Sequence, residues 1–173
     1  MRTKKLKISL TCKEIRQYAQ NYNYPSKVTE DELSRQLKVA KKRGYMKRGD
    51  LRTVARWKWR GPHIVNLCNQ NQIFEIKEVS ALSFSTRSDL VRIESLQILK
   101  GVAWPMASVI LHFAFENEYP ILDQRAMRAV GGSTNYSFEK WMNYVSLCQK
   151  KAKRCGITMR ELDKGLWVYG GQI

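Results

Sequence analysis

Only one stretch of this chain, Lys5 to Leu10, alternates apolar and polar side chains with the two-residue period of a strand. One strand alone makes no sheet. Sandwiches, barrels and sheet-based α/β folds are thereby excluded, and the chain has to bury its apolar residues with helices. Those residues make up 43% of the 173, enough for a sizeable core.

Helix signals fill the rest. Thr11-Cys12-Lys13-Glu14, Thr29-Glu30-Asp31-Glu32 and Thr158-Met159-Arg160-Glu161 each place a Thr three residues before a Glu, the pattern of a capping box. Ile15, Tyr18 and Ala19 follow the first at helical spacing, and Leu33, Leu37 and Ala40 follow the second. Gly44 suits the left-handed position that ends that second helix. Asp50 is placed to cap a short helix carrying Leu51, Val54, Ala55 and Trp57, which Arg60-Gly61-Pro62-His63 breaks. Further helices are predicted over 63–69, 72–82, 88–99, about 105–115, 123–131, 137–154 and from 158 onward. The expectation is a single all-α domain over 1–173 with about eight to nine helices and no repeat, linker or low-complexity tract.

Charge then narrows the partner. Lys and Arg number 31 against 15 Asp and Glu, a net +16, and residues 1–60 alone hold 18 basic and 5 acidic side chains. Residues 61–138 are near neutral with 6 and 7, and residues 139–173 hold 7 and 3. A near-neutral middle between basic ends points to a packed core with a basic face, for which a polyphosphate backbone is the natural partner. A disordered basic tail is excluded by five Trp and eight Tyr. Gly101 to Phe115, the longest weakly charged apolar run, is interrupted by Pro105 and too short to span a membrane. Met1-Arg2-Thr3-Lys4-Lys5-Leu6-Lys7 starts positive but has no apolar core behind it, so no signal peptide is read. A cytoplasmic monomer with four reduced cysteines is expected, nucleoid-associated if bacterial.

The most specific segment is Leu96 to Leu111. It reads as an apolar helix, a hairpin pivoting on Gly101, and a second apolar helix with Pro105 in its first turn. Such a hairpin leaves backbone amides unpaired at the start of the second helix, where a phosphate can sit. Asp123, which closes Tyr119-Pro120-Ile121-Leu122-Asp123, comes twenty-two residues beyond Gly101.

Here the chain resembles the helix-hairpin-helix DNA glycosylase superfamily, which includes endonuclease III, the mismatch adenine glycosylases and the alkylbase glycosylases. Leu99-Lys100-Gly101-Val102-Ala103 is similar to the family's Leu-x-Gly-Val-Gly hairpin, with Ala103 in place of the second glycine. Pro-Ile-Leu-Asp, ending at Asp123, is similar to the adenine-glycosylase version of the catalytic loop. The likeness covers about residues 90–131. It implies that the hairpin (Lys100, Gly101, Val102, Ala103 and Trp104) holds the DNA backbone. It also implies that Asp123 stabilises the cationic sugar formed as the glycosidic bond of a flipped nucleotide breaks, or activates the attacking water.

Alignment on Gly101 puts Pro105 where bifunctional members carry a Schiff-base lysine, so hydrolysis without strand cleavage is expected. Cys148 and Cys155 mimic the first spacing of the family's iron–sulfur motif, but no cysteine follows. No cluster or other cofactor is therefore expected beyond a monovalent cation at the hairpin carbonyls around Leu99 and Val102. No metal site is expected.

Three further groups are singled out. Trp57-Lys58-Trp59-Arg60 interleaves rings and cations, which suits stacking on an extruded base, although Trp57 also fits a core position. Arg125, two residues past Asp123, is assigned with Trp57 and Lys58 to the base pocket. Lys42, Arg43, Lys47 and Arg48, and Lys150 and Lys151, are expected on backbone phosphates, where they position the protein without reading sequence. Two readings stay open: a monofunctional glycosylase, and a non-catalytic DNA-binding module that reuses the hairpin.

Overall fold

A computed structural model describes residues 6–173. Lys5, at the start of the strand-like run, lies outside the described residues. The chain is all-α, with ten helices among the described residues and no strand. None of the helices is long and apolar enough to cross a membrane. The strand-like run forms no ladder, yet its alternation survives from Leu6 on. Ile8 and Leu10 are buried while Lys7 and Ser9 face outward, and the Lys7 amide donates to the Val130 carbonyl at 3.1 Å.

The chain divides into two units, one joining the segment that ends at Tyr24 to Glu116–Ile173, the other running Pro25–Phe115. In the central unit lie α2 (Glu30–Arg43), α3 (Arg48–Lys58), α4 (Pro62–Asn69), α5 (Ile73–Ser85), α6 (Asp89–Leu96) and α7 (Trp104–Ala114). The terminal unit holds α1 (Cys12–Gln20), α8 (Gln124–Ala129), α9 (Phe138–Cys155) and α10 (Met159–Gly170).

Helix starts follow the caps. Thr11 and Glu14 form the full box, with the Thr11 amide donating to Glu14 at 2.7 Å and the Glu14 amide to the Thr11 hydroxyl at 3.2 Å. Thr29 and Thr158 accept the amides of Glu32 and Glu161 at 3.1 and 3.0 Å. Asp50 departs from expectation. The helix begins earlier, at Arg48, and Asp50 reaches back from its third residue to accept the Lys47 amide at 2.7 Å. Burial explains the difference: Asp50 is 5% exposed, and it also receives Gln36 at 3.0 Å and an ion pair from Arg43 at 2.5 Å.

The central unit's core forms where α7 lies beneath α2, α3 and α6. Met106, Ala107, Val109, Ile110 and Leu111 are all essentially inaccessible. In the terminal unit α10 packs on α1 and α8. Gly170 makes the second contact possible, because a Cβ there would lie 1.8 Å from the Arg125 carbonyl oxygen.

One expectation is overturned here. Cys12 and Cys155 are joined by a disulfide, with 5.3 Å between their Cα atoms, so two of the four cysteines are not thiols. The cause is tertiary. The start of α1 lies against the C-terminal end of α9, where Arg16 donates to the Cys155 carbonyl at 2.5 Å and Lys151 donates to the Leu10 carbonyl. Cys68 and Cys148 remain free and buried.

Candidate nucleic-acid interface

The hairpin is built as a tight turn. Leu96 ends α6, and the Val102 amide donates to the Leu99 carbonyl at 3.0 Å to close a four-residue turn. Gly101 occupies the left-handed region at φ +83°, which an L side chain adopts only with strain. Space forbids a side chain as well. A Cβ there would lie 2.9 Å from the Cys68 sulfur and 3.2 Å from the Ile64 carbonyl, so the turn's inner edge rests on α4. Burial pushes the Cys68 thiol up to about 11, so it stays neutral beneath the turn rather than acting as a nucleophile.

Asn71 pins this turn, and sequence reasoning missed it. The side chain is 3% exposed. Its Nδ2 donates to the Lys100 carbonyl at 3.0 Å and the Cys68 carbonyl at 2.9 Å, and its Oδ1 accepts the Lys100 amide at 2.8 Å. Arg48 donates to the Asn71 carbonyl at 2.8 Å, adding a second tie. With the inner side fixed, Lys100 and Ala103 point outward, Gly101 and Trp104 are half-buried, and Val102 enters the core. Among the described residues no backbone carbonyl receives the Gly101 or Ala103 amide. Asn71→Ala removes three hydrogen bonds at once, so a loss of about 2–3 kcal/mol is expected in denaturant melts. Faster exchange of the Lys100 amide should accompany it, and unchanged exchange would show that the pin is dispensable.

Asp123 caps α8, its carboxylate accepting the Arg125 amide at 2.8 Å. It is half-buried, neither walled off nor fully solvated. The loop before it is held from below: Asp163, 5% exposed, accepts the Ile121 amide at 3.2 Å and pairs with Arg160 at 2.6 Å. The carboxylate also acts on Tyr136. Burial first, and then the Asp123 charge, pushes that phenol up to about 12, so Tyr136 stays protonated at neutral pH. Burial likewise raises the Tyr144 phenol and the Cys148 thiol of α9. Asp123 belongs to the terminal unit and the hairpin to the central one.

The remaining expected contacts divide by burial. Trp57 is 4% exposed and meets the Phe113 ring edge-on at 5.4 Å, so it is a core residue and not a stacking platform. Lys58 is buried with it, and the exposed ring of that motif is Trp59. Arg125 is exposed, its guanidinium 4.1 Å from the centre of the Trp167 ring. Lys42 and Lys47 face solvent, whereas Arg43 is committed to Asp50 and the Tyr45 carbonyl, and Arg48 to Asn71. Lys150 is exposed, and Lys151 is tied to the Leu10 carbonyl. Burial, then repulsion from Arg154, lowers the Lys151 pKa. Among the described residues no group of three or more His, Cys, Asp or Glu could hold a metal ion.

No protein-family model, curated protein or solved structure matches this chain.

Proposed function

We propose that this chain is a monofunctional DNA glycosylase-like protein of the helix-hairpin-helix type. In this reading the central unit grips duplex DNA through the hairpin. The terminal unit supplies Asp123, which supports hydrolysis of the N-glycosidic bond of a flipped damaged, mismatched or modified base. The observation that carries the reading is the Leu99–Val102 turn. Gly101 is left-handed and the inner edge is pinned by Asn71, and among the described residues no backbone carbonyl takes the Gly101 or Ala103 amide, which suits them to an anion. Charge supports it: residues 25–115 hold 16 basic and 8 acidic side chains, and residues 6–24 with 116–173 hold 12 and 7. The half-buried Asp123 suits a carboxylate that meets a cationic sugar at the edge of solvent. A cytoplasmic monomer, nucleoid-associated in a bacterium, is the setting that goes with this work.

A second reading, the non-catalytic DNA-binding module, is favoured by one observation: the Trp57 ring, the aromatic expected to stack on a base, is used in packing.

A panel of duplexes carrying single lesions, treated with alkali after incubation, separates the two. The glycosylase reading expects strand breaks at one lesion class only after alkali, since no lysine stands at the Pro105 position. Tight duplex binding with no release from any lesion would establish the module. Both readings expect affinity to fall on the order of 10³-fold between about 50 and 200 mM salt for six phosphate contacts. A flat salt response would reject both.

A further inference from the structure

The terminal unit carries a cluster that neither the hairpin nor Asp123 accounts for. Tyr22 and Tyr24 lie with their rings 10° from parallel and 6.3 Å apart, and both meet Trp167 in T-shaped contacts, at 5.3 and 5.6 Å. All three residues are half-buried and not sealed in the core. Cations crowd them. Arg160 lies 4.9 Å and Lys164 5.3 Å from the Tyr22 ring centre, and Arg125 lies over Trp167. Arg160 also donates to the Tyr22 hydroxyl at 2.8 Å. Arg160 and Lys164, which flank the Tyr22 ring, also line an open cavity of about 270 Å³ together with Arg16 and Glu161, and Arg160 is paired there with Asp163 at 2.6 Å.

Rings beside cations match the chemistry of an unpaired nucleotide strand. Every base offers a face to stack, and every linkage offers a phosphate to the cations. A simple anion would use the cations but leave the rings idle. An apolar peptide would use the rings but strand the charges. Duplex DNA presents no unstacked base face to an aromatic surface.

We propose that the Tyr22–Tyr24–Trp167 rings, with Arg16, Arg160 and Lys164, form a binding site for single-stranded DNA. Bases stack on the rings, and phosphates enter the cavity. Arg125 connects this site to α8, because its guanidinium lies on Trp167 while its amide is held by Asp123. The site rests on the reading of the chain as a nucleic-acid binder, but not on any chemistry at Asp123.

The test is fluorescence anisotropy with labelled (dT)12 at low salt, with inorganic polyphosphate as a base-free competitor. Tyr22→Leu is expected to weaken (dT)12 about tenfold, the worth of one stacked base, and to leave polyphosphate competition unchanged. Lys164→Glu should weaken both ligands. Arg87→Glu, an exposed change in the central unit, should leave (dT)12 affinity within about twofold of the parent. Equal (dT)12 affinity in parent and Tyr22→Leu, with melts showing both folded, overturns the site. Should Tyr22→Leu not fold, Lys164→Glu decides alone, and its binding (dT)12 as the parent does has the same force. A parent chain that binds duplex but not (dT)12 overturns the site and leaves the proposed function standing. One that binds neither overturns both.

Discussion

Asp123→Asn is expected to bind a lesion duplex as the parent chain does and to release its base 10² to 10⁴ times more slowly, a range typical of losing a catalytic carboxylate. The substitution isolates charge from structure. Asp123 caps α8 through its bond to the Arg125 amide, and Asn ranks with Asp as a capping residue, so the cap should change by no more than about 0.5 kcal/mol. The negative charge that would face the developing sugar cation is removed. Tyr136 reports independently that the charge has gone. The Asp123 carboxylate helps hold its phenol near 12, so in the Asn variant the phenol should ionise at lower pH in an ultraviolet titration. Asp123→Ala would lose about 1 kcal/mol of cap as well, and comparing the two variants separates the roles. Base release at the parent rate by Asp123→Asn would take the residue out of the mechanism and reduce it to a cap.

What could be read in advance was what is encoded locally. The Thr11, Thr29 and Thr158 caps act across three residues, and each helix begins where its cap predicts. The hairpin was legible for the same reason, because Gly101 and the apolar residues flanking it specify a turn between two helices. The sorting of side chains was harder. Trp57 and Trp59 are two residues apart, which puts them about 200° apart around a helix. Val54 lies one turn before Trp57 on the buried side, whereas α3 ends at Lys58 and leaves Trp59 outside the helix in extended conformation. Cations followed a different logic. In the run Lys41-Lys42-Arg43 only Lys42 is exposed, because Lys41 donates to the Phe84 carbonyl and lies over the Phe115 ring, while Arg43 serves Asp50. Both partners come from tertiary packing. Asn71 met Lys100 across 29 residues, and a buried amide carries no sequence signature of its own. The aromatic cluster joins Tyr22 to Trp167 and was equally invisible from spacing.

The Cys12–Cys155 bridge, 143 residues apart in sequence, yields the second large effect. Cross-linking so distant a pair removes chain entropy from the unfolded state, worth roughly 4–5 kcal/mol for a loop of this length. Cys12→Ser with Cys155→Ser should therefore lower the urea midpoint of the terminal unit by about 2 M, taking an m-value of about 2 kcal/mol per molar for a small domain. Dithiothreitol should do the same to the parent chain and nothing to the double variant. The direction is opposed by no other shift in charge, since a disulfide cysteine does not titrate and Ser is neutral. Function should divide with the units. The hairpin lies in Pro25–Phe115, whose cysteine, Cys68, is free, so duplex affinity should hold within about twofold on reduction. Tyr22 and Tyr24 follow α1 directly, and α1 is the helix the bridge ties to the end of α9. Loosening that tie frees the ring-bearing segment while leaving α10 on α8, so (dT)12 affinity should fall under reduction when duplex affinity does not. An unchanged urea midpoint in dithiothreitol, with both thiols shown by alkylation to be open, would mean that packing between α1 and α10 holds the segment without the bridge.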